Sequence, residues 1–276
     1  MECGEKELAL ETKKKYLEIA SAHRRQWINS IFQIIAISLV VASSFYFTGL
    51  LDSGRLKEGI PSIFGLLLES WPPSFKNAKD WTKPLLDTLG MSVAGTALAV
   101  AISFPLAFVA AKNISPNPIV YQISRIILNI LRSVPELIMG IIFVAAVGFG
   151  ALPGALALGL HSVGMVGKFF GESIEHVSTE PIEAVRSSGA TPFQVIWHGV
   201  LPQVLPQMVD ITIYRWEYNF RASTVMGMVG AGGIGLELMS SLRLMMYQEV
   251  SALLFVILIM VTLVDGLGAI LRKIFK

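Results

Sequence analysis

Cysteine is almost missing from this 276-residue chain, with Cys3 the only one. A lone thiol closes no internal disulfide and gives no sulfur cluster for a metal, so Cys3 reads as incidental. Charge is also scarce: 15% of residues are charged and 53% are hydrophobic, with a mean hydropathy of +0.62. That leaves too little polar surface to cover a soluble domain, and the chain reads as an integral membrane protein. Its formal net charge of +2 shows no excess that would single out nucleic acid or another partner. The phosphate-binding pattern G-x-x-x-x-G-K followed by Ser or Thr is absent, which excludes ATP hydrolysis of the usual kind by this chain. The four histidines, His23, His161, His176 and His198, are scattered, with no H-E-x-x-H and so no zinc site. No carboxylate pair sits where general acid–base work would need it, and an intramembrane enzyme is set aside.

Long apolar runs are what the chain has in abundance. A helix needs about 20 mainly apolar residues to cross the hydrocarbon core. Residues 28–51 carry no charge and form the first expected span, too deep and too long for a cleaved signal peptide after the hydrophilic residues 1–27. Residues 52–83 form an external segment, with a short interfacial helix over 60–68 and with Trp71 and Trp81 at headgroup depth. Further spans are expected at 84–111, 119–148 (broken at Pro135), 152–170, 201–225 and 250–271, six in all. Lys13, Lys14, Lys15, Arg24 and Arg25 before the first span, and Arg272, Lys273 and Lys276 after the last, place both termini in the cytoplasm. Arg55, Lys57, Lys76, Lys79 and Lys83 in the external segment partly offset that bias.

In this topology residues 171–199 face the cytoplasm, and their local chemistry spells two short helices at an angle. Pro181 suits a first helical turn, and Gly189 suits the positive-φ position that ends a helix. Thr191, Pro192 and Gln194 then read as N-cap, first turn and capping-box partner of a new helix. Such a corner is either a connector that caps its own helices or a compact knob presented to a soluble protein.

At these residues the chain resembles the membrane subunits of ABC importers. Their cytoplasmic signature is Glu-Ala-Ala, three residues, Gly, nine residues, Ile, one residue, Leu-Pro. Glu183, Ala184, Gly189, Leu201 and Pro202 match it at the right spacing, while Val185 replaces the second alanine and Gly199 the isoleucine. The resemblance implies that Glu183 contacts an ATPase subunit, that Gly189 makes the corner, and that Leu201-Pro202 fixes where the fifth span starts. From about Trp71 onward the chain is similar to the phosphonate branch of these permeases. The similarity is carried by Trp71-Pro72-Pro73-Ser74-Phe75, residues 95–100, Arg132-Ser133-Val134-Pro135-Glu136, Tyr214-Arg215-Trp216-Glu217 and residues 221–235. It implies an all-α membrane protein with the type I ABC importer permease fold and a core over residues 84–271. It also implies coupling helices at about 172–200 and import of phosphonate, phosphite or a related oxyanion.

Ionisable residues at membrane depth are costly and usually have a pathway or a partner. Asp210, Tyr214, Glu217 and Arg221 fall on one helical face, where Glu217 can pair with Arg221 one turn on, while Arg215 points elsewhere. Arg125, Arg132 and Glu136 form a second stripe. Arg132, Glu136, Arg215, Glu217 and Arg221 are therefore candidates for an oxyanion pathway, or else buried ion pairs that clamp the spans. Residues 230–235 fit G-x-G-x-x-G, but no strand precedes them, and they read as a re-entrant outer turn rather than a dinucleotide site. Met226 and Met228 beside that turn are gate candidates or ordinary packing residues. Gly154, Gly159, Gly164, Gly167 and Gly171 make a smooth face for close helix packing.

The resemblance implies a permease working as two copies of itself by alternating access in the bacterial inner membrane. Two ATP-binding cassette subunits would hold ATP and Mg, an external or periplasmic binding protein would deliver substrate, and this chain would bind no cofactor. A different class of explanation is an ion-coupled secondary transporter of a small anion, with Asp210, Glu217 and Asp265 carrying protons; no inverted repeat supports it.

Overall fold

The computed structural model describes residues 29–275 together with His23, Gln26 and Trp27. Cys3, Lys13, Lys14, Lys15, Arg24 and Arg25, with most of the expected segment 1–27, lie outside the described residues. Regular structure among the described residues is helical throughout, and the chain divides into two compact units, residues 1–67 and 68–276.

In the first unit, α1 (Asn29–Phe47) is apolar and exposed along its whole length, as a span with only lipid around it would be. Helix α2 (Ser53–Glu69) starts earlier than the expected helix at 60–68. Asp52 Oδ1 accepts from the backbone N–H groups of Gly54 at 3.0 Å and Arg55 at 3.3 Å, which caps the start seven residues upstream.

The second unit is built around α6 (Ala151–Glu175), against which α3 (Thr82–Val109), α4 (Pro118–Ser133), α5 (Glu136–Val147) and α9 (Leu201–Met226) all pack. Small residues allow this. A Cβ on Gly164 would sit 2.6 Å from Arg132 N and Leu128 O, so α4 can lie on α6 only because that position is glycine. The smooth face expected on α6 serves two neighbours, with Gly159 against Leu98 of α3 and Gly167 against Leu128 of α4.

Helices α4 and α5 meet at an angle of 85°. Pro135 lacks an N–H and pushes Val134 into extended backbone (φ −85°, ψ 119°), so the α4 ladder stops there. Asn117 caps α4 by accepting from Val120 N at 2.8 Å. The stripe drawn through Arg125, Arg132 and Glu136 is therefore cut, with Glu136 opening a separate helix. Beyond α9, a 3-10 turn (Gly227–Val229) and glycines of positive φ lead into α10 (Ile234–Arg243), bent 44° from α9, and then α11 (Tyr247–Ile274). A Cβ on Gly235 would collide with Thr224 O and one on Gly227 with Leu236 N, so residues 227–235 act as a tight turn on the end of α9.

Three described helices, α1, α3 and α11, are long and apolar enough to span, or up to five spans if each bent pair counts as one. The expected six is not reached by that measure. Helix α6, expected as the fourth span, is long enough at 25 residues, but its glycines and its His161, Lys168, Glu172 and Glu175 lower its hydropathy. A helix surrounded by other helices does not need a lipid-compatible surface.

Candidate functional site

Two groups of residues carry candidate function, and the first is the corner between α6 and α9. Helix α7 (Thr179–Ser187) ends before Gly189, whose φ of +81° turns the chain. Helix α8 (Pro192–Val195) starts with the expected capping box: Gln194 N donates to Thr191 Oγ1 at 3.4 Å and Thr191 N donates to Gln194 Oε1 at 2.8 Å. A π turn (Ile196–Val200) then joins α8 to α9. Pro202 has no N–H to donate to the carbonyl four residues back, and the wider turn just before it accommodates the break. Gln203 fastens the arrangement. Its Oε1 accepts from Ser178 N at 3.1 Å and its Nε2 donates to Gly199 O at 2.5 Å, tying the start of α7 to the root of α9.

Glu183, Ala184 and Gly189 are exposed on this knob, while Leu201 is half-buried at its base and Pro202 exposed. At Gly199, where the related signature has isoleucine, an added Cβ would lie 3.4 Å from Ile182 Cα, an ordinary contact, so α7 lies against the π turn without requiring glycine there. The knob also presents an aromatic pair that sequence reasoning missed. Phe193 and Trp197 stack with centroids 6.3 Å apart and remain 71% and 53% exposed. Their i, i+4 spacing across the start of α8 was the available signal. Behind the knob lies a cavity of about 620 Å³ lined by Asn113, Ile114, Glu175, Glu183 and Arg186, among others.

The second group is a polar cluster where α4 breaks into α5. Glu136 Oε1 accepts from Tyr218 OH at 2.8 Å, and its Oε2 lies 3.2 Å from His161 Nε2. His161 Nδ1 faces the Val134 carbonyl at 3.0 Å and must donate to it, so the contact with Glu136 needs a proton on the second ring nitrogen or on the carboxyl. Arg215 Nε donates to Ser162 Oγ at 2.7 Å, and the guanidinium carbon lies 4.2 Å from the Tyr218 ring centroid. Ser162 Oγ donates to Asn219 Oδ1 at 3.0 Å, and Asn219 Nδ2 donates to Thr96 Oγ1 at 2.9 Å, so a buried chain of hydrogen bonds spans α6, α9 and α3.

The remaining candidates fall elsewhere. Glu217 does not pair with Arg221. Its Oε1 lies 2.8 Å from Arg272 Nη1 on α11, while Arg221 Nη1 donates to Asp265 Oδ1 at 2.7 Å. Helix α11 approaches closely enough to claim both partners because Gly268 leaves room for the Glu217 carboxylate. These pairs engage two of the three carboxylates that a proton-coupled carrier would use. Arg125, on the first turns of α4, bonds Ala110 O at 2.9 Å and Glu175 Oε1 at 2.8 Å, a clamp rather than a pathway. Arg132 is half-buried and has no ion pair among the described residues. Arg215, set apart from the stripe on α9, is instead at the centre of the cluster. Met226 is fully buried among Met91, Met139 and Leu158, whereas Met228 is 52% exposed, so the two do not share one environment.

Residues 103–276 match the family described as binding-protein-dependent transport system inner membrane component. The phosphite transport system permease protein PtxC of Stutzerimonas stutzeri is 63% identical over 250 residues, covering 91% of this chain and 91% of that protein. The phosphate-import permease protein PhnE of Mycolicibacterium smegmatis is 40% identical over 219 residues, 79% of this chain and 41% of that protein. Among solved structures, a chain of the MetNI methionine ABC transporter in an inward-facing conformation has a TM-score of 0.61 at 22% identity. It covers 71% of this chain and 96% of its own length, a likeness of fold.

Proposed function

Because this chain belongs to the family of binding-protein-dependent transport system inner membrane components, we propose that it is the permease subunit of an ATP-driven importer for phosphite, a phosphonate or a related phosphorus oxyanion. Two copies form the passage, two ATPase subunits supply the energy, and an external binding protein delivers the anion. Both termini and the α7–α8 knob face the cytoplasm, and ATP and Mg are held by the ATPase subunits.

The observation that carries this reading is the knob. Its helices are capped from within, its corner needs the positive φ of Gly189, and Gln203 binds it to the root of α9. Force applied at Glu183 therefore reaches a span through hydrogen-bonded backbone rather than through slack coil. Exposed Phe193 and Trp197 add the rigid aromatic surface that anchors protein interfaces. The substrate class rests on the phosphite permease that shares most of its length with this chain. Closure of the ATPases would draw the two knobs together and open the passage outward, and hydrolysis would reverse it.

The test is ATP-driven phosphite uptake by proteoliposomes holding the permease, its ATPase and its binding protein. Glu183→Ala and Gly189→Ala are each expected to lower uptake per ATP hydrolysed. Uptake unchanged after both substitutions defeats the docking assignment.

A further inference from the structure

Arg215 presents a charge the fold leaves unanswered. It is 5% exposed, and its Nη2 has no hydrogen-bond partner among the described residues. Glu136, the carboxylate of the cluster, meets Tyr218 with one oxygen and His161 with the other, and forms no hydrogen bond with Nη2. A guanidinium buried with a free edge is expensive unless an anion meets it at some stage of the working cycle.

The rest of the surroundings hold that guanidinium still. Ser162 fixes Nε, Asn219 fixes Ser162, Thr96 fixes Asn219, and the Tyr218 ring centroid lies 4.2 Å from the guanidinium carbon. This spends several buried polar groups on orienting one donor, and the orientation leaves Nη2 for something else. The cluster lies where α4 breaks into α5, and irregular backbone at membrane depth belongs where it lines a cavity or a passage.

We propose that Arg215 is the anion-contacting residue of the permease: a tetrahedral phosphorus oxyanion in transit supplies the acceptor that Nη2 lacks, while Ser162, Asn219 and Thr96 position the guanidinium. This rests on the permease reading above. Planar, forked Arg suits such oxyanions better than the point charge of Lys, and a single fixed donor with no second cation holds an anion loosely enough to release it.

Equilibrium binding of phosphite to the assembled permease–ATPase complex in nanodiscs, without the binding protein, tests the proposal. Wild type is expected to bind saturably, with affinity lowered at least about tenfold in both Arg215→Lys and Arg215→Met. Ser162→Ala, which frees Nε without touching the charge, is expected to fall between them and wild type. Arg125→Lys, at the clamp between α4 and α6 and outside the cluster, makes the same exchange of Arg for Lys and is expected to leave binding within about threefold of wild type. A purely structural Arg215 would lower the melting temperature of its variants without altering phosphite affinity, and that result overturns the proposal. So does loss of binding in Arg125→Lys as complete as in Arg215→Lys. Saturable binding absent from wild type also overturns it, and the permease reading survives if ATP-driven uptake persists. Nanodiscs with and without phosphatidylglycerol separate the sources of the anion: phosphite displaced by the anionic lipid would make a headgroup the occupant and overturn the transit assignment.

Discussion

Gly189 shows how one residue decides the shape of the knob. An added Cβ there would meet nothing within 4 Å, so its cost lies wholly in the backbone, whose φ is +81°. Forcing an L side chain into that region costs about 1–2 kcal/mol, less for asparagine. Gly189→Ala is therefore expected to lower the melting temperature of the purified complex, and Gly189→Asn to lower it less; equal values would contradict the positive-φ reading. Gly266 and Gly268 make a second contrast on α11. A Cβ on Gly268 would overlap the Glu217 carboxylate, while one on Gly266 meets nothing within 4 Å. Gly268→Ala is expected to destabilise the protein by about 1–3 kcal/mol through overpacking against Glu217 and its contact with Arg272, and Gly266→Ala to be neutral. Thermal unfolding of both variants checks this, and similar losses in the two would remove the close α9–α11 approach as the cause.

Elements followed the sequence where their determinants are local, and departed from it where partners come from elsewhere. The capping box of Thr191 and Gln194, the corner at Gly189 and the break at Pro135 each depend on residues within one turn, and each was legible. The pairing of Glu217 with Arg221 was a sound local expectation for i, i+4 residues, yet Asp265, 44 positions away, takes Arg221. Periodicity also set Arg215, itself a pathway candidate, off the face of Asp210, Tyr214, Glu217 and Arg221, because it cannot foresee that α6 would bring Ser162 to that side of α9. Helix α6 was expected as a span over 152–170 with a glycine face for close packing, and four helices pack against it. At this scale the joint between the knob and α9 depends on Gln203. Gln203→Leu keeps the helix but removes the bonds to Ser178 and Gly199, and it is expected to leave ATP hydrolysis measurable while uptake per ATP falls about two- to tenfold. Uptake falling only in proportion to hydrolysis would show that the clamp transmits nothing.

As a whole, the molecule divides its labour along the chain. The described α1 is exposed and mainly apolar, while the second unit concentrates close packing around α6, buried polar groups around Arg215 and a capped protrusion between α6 and α9. On the function proposed above, work enters through a surface, and the protrusion carrying exposed Phe193 and Trp197 beside Glu183 is the one assigned to receive it. The most direct measurement is a disulfide trap with the chain's one native cysteine replaced, Cys3→Ser. Glu183→Cys is paired with single cysteines along the cleft of the ATPase subunit, and cross-linking is followed with and without ATP. A high-yield cross-link confined to the cleft, with a yield that changes when ATP is bound, is the expected result. Position 183 failing to cross-link to any cleft cysteine, in a complex that still imports phosphite at the expense of ATP, would contradict the claim that this knob receives the force.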